Sequence, residues 1–305
     1  MKAIFWVREE GDLPKSDRRE TDLAKAIQTG AKRHGDTIEI CEVTDSGPPE
    51  VRPCDLVLKC GVKSRDWFRA YNAAGIPYTY FDKGYIRSRA NAGWLDYWRV
   101  SVNGHQPLRY VETAKHDRKR SDEMGLELKP WKLKREHAVV VDGSSGKHCY
   151  FNSDQKFKSK AEIDELANKI AADLVARVRS VTERPIIYRP KPSWKGAKPI
   201  PGTEYSHRRE GILPTLDRAH ALVTYGSNAC FDAACHGVPS IVLGHGIAAP
   251  ISSRILDEIE NPKLAPEDER RQWLNNVAWT QFGLKEFASG EGWKTIRAMA
   301  ECSPL

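Results

Sequence analysis

Short apolar runs alternate with stretches of helical periodicity along most of this chain, and that rhythm predicts strands and helices in turn. Residues 3–7 (AIFWV) read as a buried strand. Leu23, Ala26, Ile27 and Ala31 fall on one helical face and put a helix over Asp22–Arg33. Residues 37–43 (TIEICEV) alternate like a strand, and Asp55–Lys59 (DLVLK) is another short run. A helix over 64–74 ends before Gly75, and the strand IPYTYF leads into a loop, DKGY. The order βαβα predicts a parallel, doubly wound sheet.

The rhythm breaks at 112–135, which is charged, carries Gly125 and Pro130, and reads as the connection between two domains. It resumes with the strand HAVVV (137–141), the loop DGSSGKH, a helix over Ala161–Arg179, the strand PIIYR and a Pro/Lys-rich loop at 190–202. A turn at Gly211–Pro214, the strand ALVTY, a helix from about Ser227 to His236 and the strand PSIVLG complete a second doubly wound unit. Trp273, Val277, Phe282, Phe287 and Trp293 have helix-like spacing and predict closing helices over 266–305 that return to the first domain. The expected division is therefore 1–125, 126–265 and 266–305.

Composition narrows the class. The chain has 305 residues, 40% hydrophobic and 29% charged, enough for two α/β cores. No run is long and apolar enough to predict a membrane span, and the start MKAIFWVREEGD reads as a first strand, so the expected location is the cytoplasm. Seven Cys without a CxxC pair suggest neither a disulfide framework nor a zinc site. The formal charge is +7, with eight basic against four acidic residues between Lys115 and Arg135. Such a segment attracts polyanions by a salt-dependent term or is a solvated linker. Arg118, Lys119 and Arg120 are its candidate acceptor contacts.

Chemistry concentrates in VTYGSNACFDAACHGVPSIVLG (223–244). A strand ends at Tyr225, Gly226 permits a turn, and Ser227 with Asn228 stand where a helix starts, a place suited to phosphate. Asp232, one turn on and on the same face, could accept ribose hydroxyls. Gly237 and Pro239 end the helix. The run resembles the donor-binding helix of GT-B fold glycosyltransferases and of the related UDP-sugar 2-epimerases and capsule-polysaccharide transferases. The shared elements are Ser227, Asp232-Ala233 and Gly237-Val238-Pro239; the family usually has Glu where this chain has Asp232. The resemblance covers about the second half of the chain.

That resemblance implies an α/β fold of two facing Rossmann-like domains, GT-B-like, the second binding the sugar nucleotide. Around the donor it adds Arg189 and Lys191 as counter-charges, the loop residues Ser144, Ser145 and Lys147, and His207. The acceptor would lie against the first domain, at Lys83, Tyr85, Arg99 and Asn103, with Asp82 or His105 as general base. No DxD pair closes a strand, so no metal and no cofactor is expected, and the donor, a UDP-sugar by expectation, is a substrate. The acceptor expected first is DNA with a hydroxymethylated pyrimidine, because compact transferases of this look are encoded by bacteriophages. A capsular or lipopolysaccharide glycan comes second. A UDP-sugar epimerase, or a non-catalytic binding protein, is the reading from another class.

Overall fold

The computed structural model describes residues 1–8, 19–43, 50–61, 65–86, 97–132, 135–140, 159–206 and 211–303. The chain forms two compact units, Met1–Ala114 with Asn276–Leu305, and Lys115–Asn275. These boundaries stand about ten residues from those expected at 125 and 265, so the charged stretch after Lys115 belongs to unit 2.

Unit 1 contains β1 (Lys2–Arg8), α1 (Arg19–Lys32), β2 (Thr37–Val43), β3 (Leu56–Cys60), α2 (Arg65–Ala73), β4 (Tyr78–Lys83), β5 (Trp98–Val102) and α3 (Leu108–Thr113). Its sheet has the order β2-β1-β3-β4-β5 with a short strand from the end of the chain beyond β5. The first four strands are parallel, and β5 runs antiparallel to β4. Strand β4 extends past the expected end at Phe81, so Asp82 and Lys83 lie in the strand and not in a loop. Pairing with β5 carries it on, with Asp82 opposite Arg99 and Lys83 opposite Trp98.

Unit 2 contains α4 (Lys119–Glu123), β6 (His137–Val140), α5 (Lys160–Arg179), β7 (Ile186–Tyr188), β8 (Glu204–Tyr205), α6 (Ile212–Asp217), β9 (Ala219–Thr224), α7 (Ala229–His236) and β10 (Ser240–Val242). Its sheet is wholly parallel, in the order β8-β7-β6-β9-β10. Where a turn was expected at Gly211–Pro214 there is a short helix. Pro214 sits in its first turn, where a missing N–H leaves no intrahelical bond unmade.

Helix α8 (Glu267–Ala278) carries the second unit boundary; β11 (Gln281–Phe282), α9 (Leu284–Ser289) and α10 (Glu291–Cys302) follow in unit 1. Phe282, Phe287, Trp293 and Ile296 are wholly buried in one core with Phe5, Leu23, Ile27, Leu58 and Phe81. The Trp293 indole donates to Asp36 Oδ2 at 2.7 Å, and Arg297 pairs with the same oxygen at 3.3 Å. The periodicity of this segment is thus that of core packing, and the two-residue strand within it had no sequence signal.

Candidate functional site

In open parallel sheets, ligands gather beyond the carboxyl ends of strands, near the point where strand order reverses. In unit 2 that point lies between β6 and β9. The loop after β6, with Ser144, Ser145 and Lys147, falls outside the described residues, and so does His207. The turn after β9 is described in full. Thr224 is wholly buried, and its hydroxyl accepts the amides of Gly226 (3.2 Å) and Ser227 (3.0 Å). The Ser227 hydroxyl accepts the Ala229 amide at 3.2 Å. Asn228 occupies the cap position of α7 but makes no side-chain cap, so Ser227 is the residue that meets an amide of the first turn. The turn therefore offers hydroxyls, Ser227 foremost, because several of its amides are already bonded within the chain. Asp232 is half-buried one helical turn below.

Glycines let this turn close. A Cβ on Gly244 would strike the Tyr225 carbonyl, and one on Gly226 would stand 3.4 Å from the His245 backbone. The exposed His245 thus lies beside the Ser227 turn, at the end of β10. The sequence reading missed it and Thr224. At its other end α7 is closed as expected, with Gly237 at φ 79° and the Val238 amide returning to the Ala233 carbonyl at 2.9 Å.

Arg189 is at the end of β7, but it is turned inward and only 4% exposed. Its guanidinium donates to Ser206 Oγ at 2.5 Å and Thr215 Oγ1 at 3.4 Å. A counter-charge to a diphosphate would need to reach solvent, and Lys191, half-buried, is nearer to that condition.

Unit 1 brings several predicted residues together. Asp82, Tyr85 and His105 gather around one buried charge, that of Arg99. The Arg99 side chain is 1% exposed and stands 3.3 Å from Asp82 Oδ2, whose carboxylate is 20% exposed. Arg99 lies over the rings of Tyr80 and Tyr85, at 5.7 and 5.3 Å, and its Nη2 reaches His105 Nε2 at 3.4 Å. The Tyr80 hydroxyl donates to Asp82 Oδ2 at 2.9 Å, and the Lys83 amide to Oδ1 at 2.8 Å. Burial alone would make Arg99 easier to deprotonate, but the neighbouring Tyr85, Asp82 and Tyr80 raise its pKa above the ordinary value. Burial, with the Asp82 charge adding to it, holds the Tyr80 phenol well above its usual range. Tyr80 is therefore a protonated donor, Arg99 a cation, and the Asp82 carboxylate is the acceptor of both.

Supporting contacts fix the turn after β4. Gln281 Oε1 accepts the amides of Tyr85 (2.9 Å) and Ile86 (3.2 Å), and the Tyr85 hydroxyl donates to Gln106 Oε1. Beside Tyr80 on β3 is Lys59, 5% exposed, with Nζ 5.2 Å from the Trp67 ring and 3.4 Å from the Trp6 carbonyl oxygen. Tyr80 and Lys59 were also missed. The signal was available, since Tyr80 and Asp82 are two apart in a strand and share a face.

Of the other predicted acceptor residues, only Lys83 meets the cluster, through its backbone amide. Asn103 is at the amino end of β4, where its φ is 51°; its carbonyl accepts the Tyr78 amide and its amide donates to Ser303. Lys83 is exposed at the end of β4. Arg118, Lys119 and Arg120 are in unit 2: Arg118 pairs with Asp122 at 2.7 Å, Arg120 is buried, and Lys119 is exposed. Lys132 pairs with Asp217 at 2.6 Å. Two of the eight basic residues of the segment, Arg118 and Lys132, are thus ion-paired within their own chain.

Over 91% of its length the chain superposes on 91% of Thermosulfurimonas dismutans KpsC, beta Kdo 2,4 transferase, with a TM-score of 0.51 and 13% identity. Its likeness to the KpsC beta Kdo 2,7 transferase covers 96% of this chain and 99% of that one, with a TM-score of 0.50 and 13% identity. The chain has a GT-B-type fold. No protein-family model matches the sequence, and no curated protein matches it. Within this fold, the Ser227 turn is at the reversal of strand order in unit 2. In unit 1 the reversal lies between β1 and β3, and the Asp82 cluster is one strand removed from it. No described helix is long and apolar enough to cross a membrane.

Proposed function

We propose that the protein is a glycosyltransferase that takes a sugar from a nucleotide sugar and delivers it to a hydroxyl of a glycan, without a metal ion. The observation that carries this reading is the Asp82 carboxylate of unit 1, held at the carboxyl end of β4 by Tyr80 and Arg99. A partly exposed carboxylate, fixed by buried donors, suits proton removal from an acceptor hydroxyl. The donor is assigned to unit 2, where the Ser227 hydroxyl would face a phosphate and Asp232 the ribose. Hydroxyl donors, the start of α7 and Lys191 would then meet the charge of the departing nucleotide.

A glycan acceptor is preferred to DNA because the solved structures of similar fold are named as beta Kdo 2,4 and beta Kdo 2,7 transferases, not as DNA-modifying enzymes. In addition, Arg118 and Lys132 of the basic segment are neutralised within the chain, which weakens the electrostatic reason for a DNA acceptor.

The test is nucleotide release from CMP-, UDP- and GDP-sugars, with a chelator present, against capsular glycan fragments and hydroxymethylpyrimidine DNA. Release that needs a glycan supports the proposal. Release that needs DNA overturns the acceptor class, and conversion of the donor with no acceptor indicates an epimerase. Ser227→Ala and Asp232→Ala should each weaken nucleotide affinity about tenfold, the scale of one charge-assisted hydrogen bond; unchanged affinity in both removes the donor site.

A further inference from the structure

We infer that Arg99 divides the roles of the two candidate groups in unit 1: it is a positioning residue that leaves Asp82 to accept the proton and holds His105 as a neutral hydrogen-bond donor. The chemistry served rests on the transferase reading; the division itself rests on geometry.

A guanidinium has five N–H donors, no acceptor, and does not deprotonate in proteins. In the 3.4 Å contact between Arg99 Nη2 and His105 Nε2, the imidazole nitrogen must therefore be the acceptor. A neutral ring with Nε2 accepting carries its proton on Nδ1. A second proton at Nε2 would break this contact and put two cations side by side. His105, tilted against the Tyr80 ring with centroids 5.2 Å apart, can then give a hydrogen bond but not take a proton.

Asp82 has the opposite disposition. Each of the Tyr80, Arg99 and Lys83 contacts has the carboxylate as acceptor. The charged or titratable groups of the cluster are Tyr80 on β4, Arg99 on β5, Cys60 on β3, and Tyr85 and His105 in the turns that follow β4 and β5. The acceptor oxygen bonds to the anomeric carbon, the bond from that carbon to the nucleotide phosphate breaks with its electron pair leaving on phosphate, and the hydroxyl proton goes to Asp82.

The experiment is a long-range proton–nitrogen NMR spectrum of the full chain labelled with nitrogen-15 histidine, with the His105 signals assigned by their loss in His105→Gln. The expected form at pH 7 is neutral, with hydrogen on Nδ1; a wild-type His105 found as imidazolium, or with hydrogen on Nε2, overturns the inference. In Arg99→Met the Nε2–H form should gain population, and an unchanged tautomer in a folded variant would also count against it. The wild-type spectrum decides even where that variant fails to fold. In turnover, Asp82→Asn should lose about 10²–10⁴-fold and His105→Gln about tenfold or less, and the reverse ranking overturns the assignment. Absence of turnover in the wild-type protein would sink the transferase reading while the tautomer still decides the division.

Discussion

Asp82 Oδ2 receives one neutral donor, Tyr80, and one charged donor, Arg99, and the two differ in what their loss should do. Tyr80→Phe keeps the ring beneath Arg99 and removes one hydroxyl, so it should lower kcat/KM by roughly two- to tenfold, the effect of a single net hydrogen bond. Steady-state kinetics on a folded variant checks this. Gln281 has a structural part: Gln281→Ala strips an acceptor from two amides and should cost about 1–3 kcal/mol in urea unfolding. Acid sensitivity has a residue-level source too. The Asp217 carboxylate accepts a hydrogen bond from Lys132 and lies 2.8 Å from His236 Nε2, and these contacts lower its pKa to about 2. A depressed carboxylate stabilises the fold above its unfolded value, near 3.9, and that contribution is lost as pH falls towards 2. Because Asp217 is 59% exposed, solvent screening reduces the gain to about 1 kcal/mol or less. Unfolding of Asp217→Asn should then be less pH-dependent than wild type between pH 5 and pH 2; an identical slope would show that the pair contributes nothing.

At the scale of elements, the close approach of α1 to the chain end turns on one glycine. A Cβ on Gly30 would collide with the Phe287 carbonyl and stand 3.0 Å from the Gly290 backbone. Helix propensity favours Ala over Gly by about 1 kcal/mol, but overpacking against backbone costs about 1–3 kcal/mol. Gly30→Ala should therefore lower Tm rather than raise it, as calorimetry would read. Most elements were legible because their apolar positions follow the periods of strand and helix: β2 was read at 37–43, and α5 to within a residue. Others were not: α3, α4 and β8 are short and carried no periodic pattern. Pro214 hid α6, β11 is too short for a pattern, and β4 runs past Phe81 because β5 pairs with it. That last pairing is also why the unit 1 cluster was legible only in part. Asp82, Tyr85, Arg99 and His105 could each be singled out by type, but register alone places Arg99 opposite Asp82, and Tyr80 passed as one more aromatic in a strand.

For the molecule as a whole, two sheets of different strand order present different groups at their carboxyl ends. Unit 2 reverses order beside the Ser227 turn, whereas unit 1 adds the antiparallel β5, which supplies Arg99. The likeness to solved Kdo transferases spans both units, with 96% of the chain covered in one comparison, so the proposal concerns the whole chain rather than a single nucleotide-binding half. The most direct measurement is the mass of a capsular glycan fragment after incubation with the protein, a panel of nucleotide sugars and a chelator. The account predicts a gain of one glycosyl residue with one of the donors, lost when Asp82→Asn replaces the wild type. An unchanged mass with every donor, or an equal gain from Asp82→Asn, would contradict it.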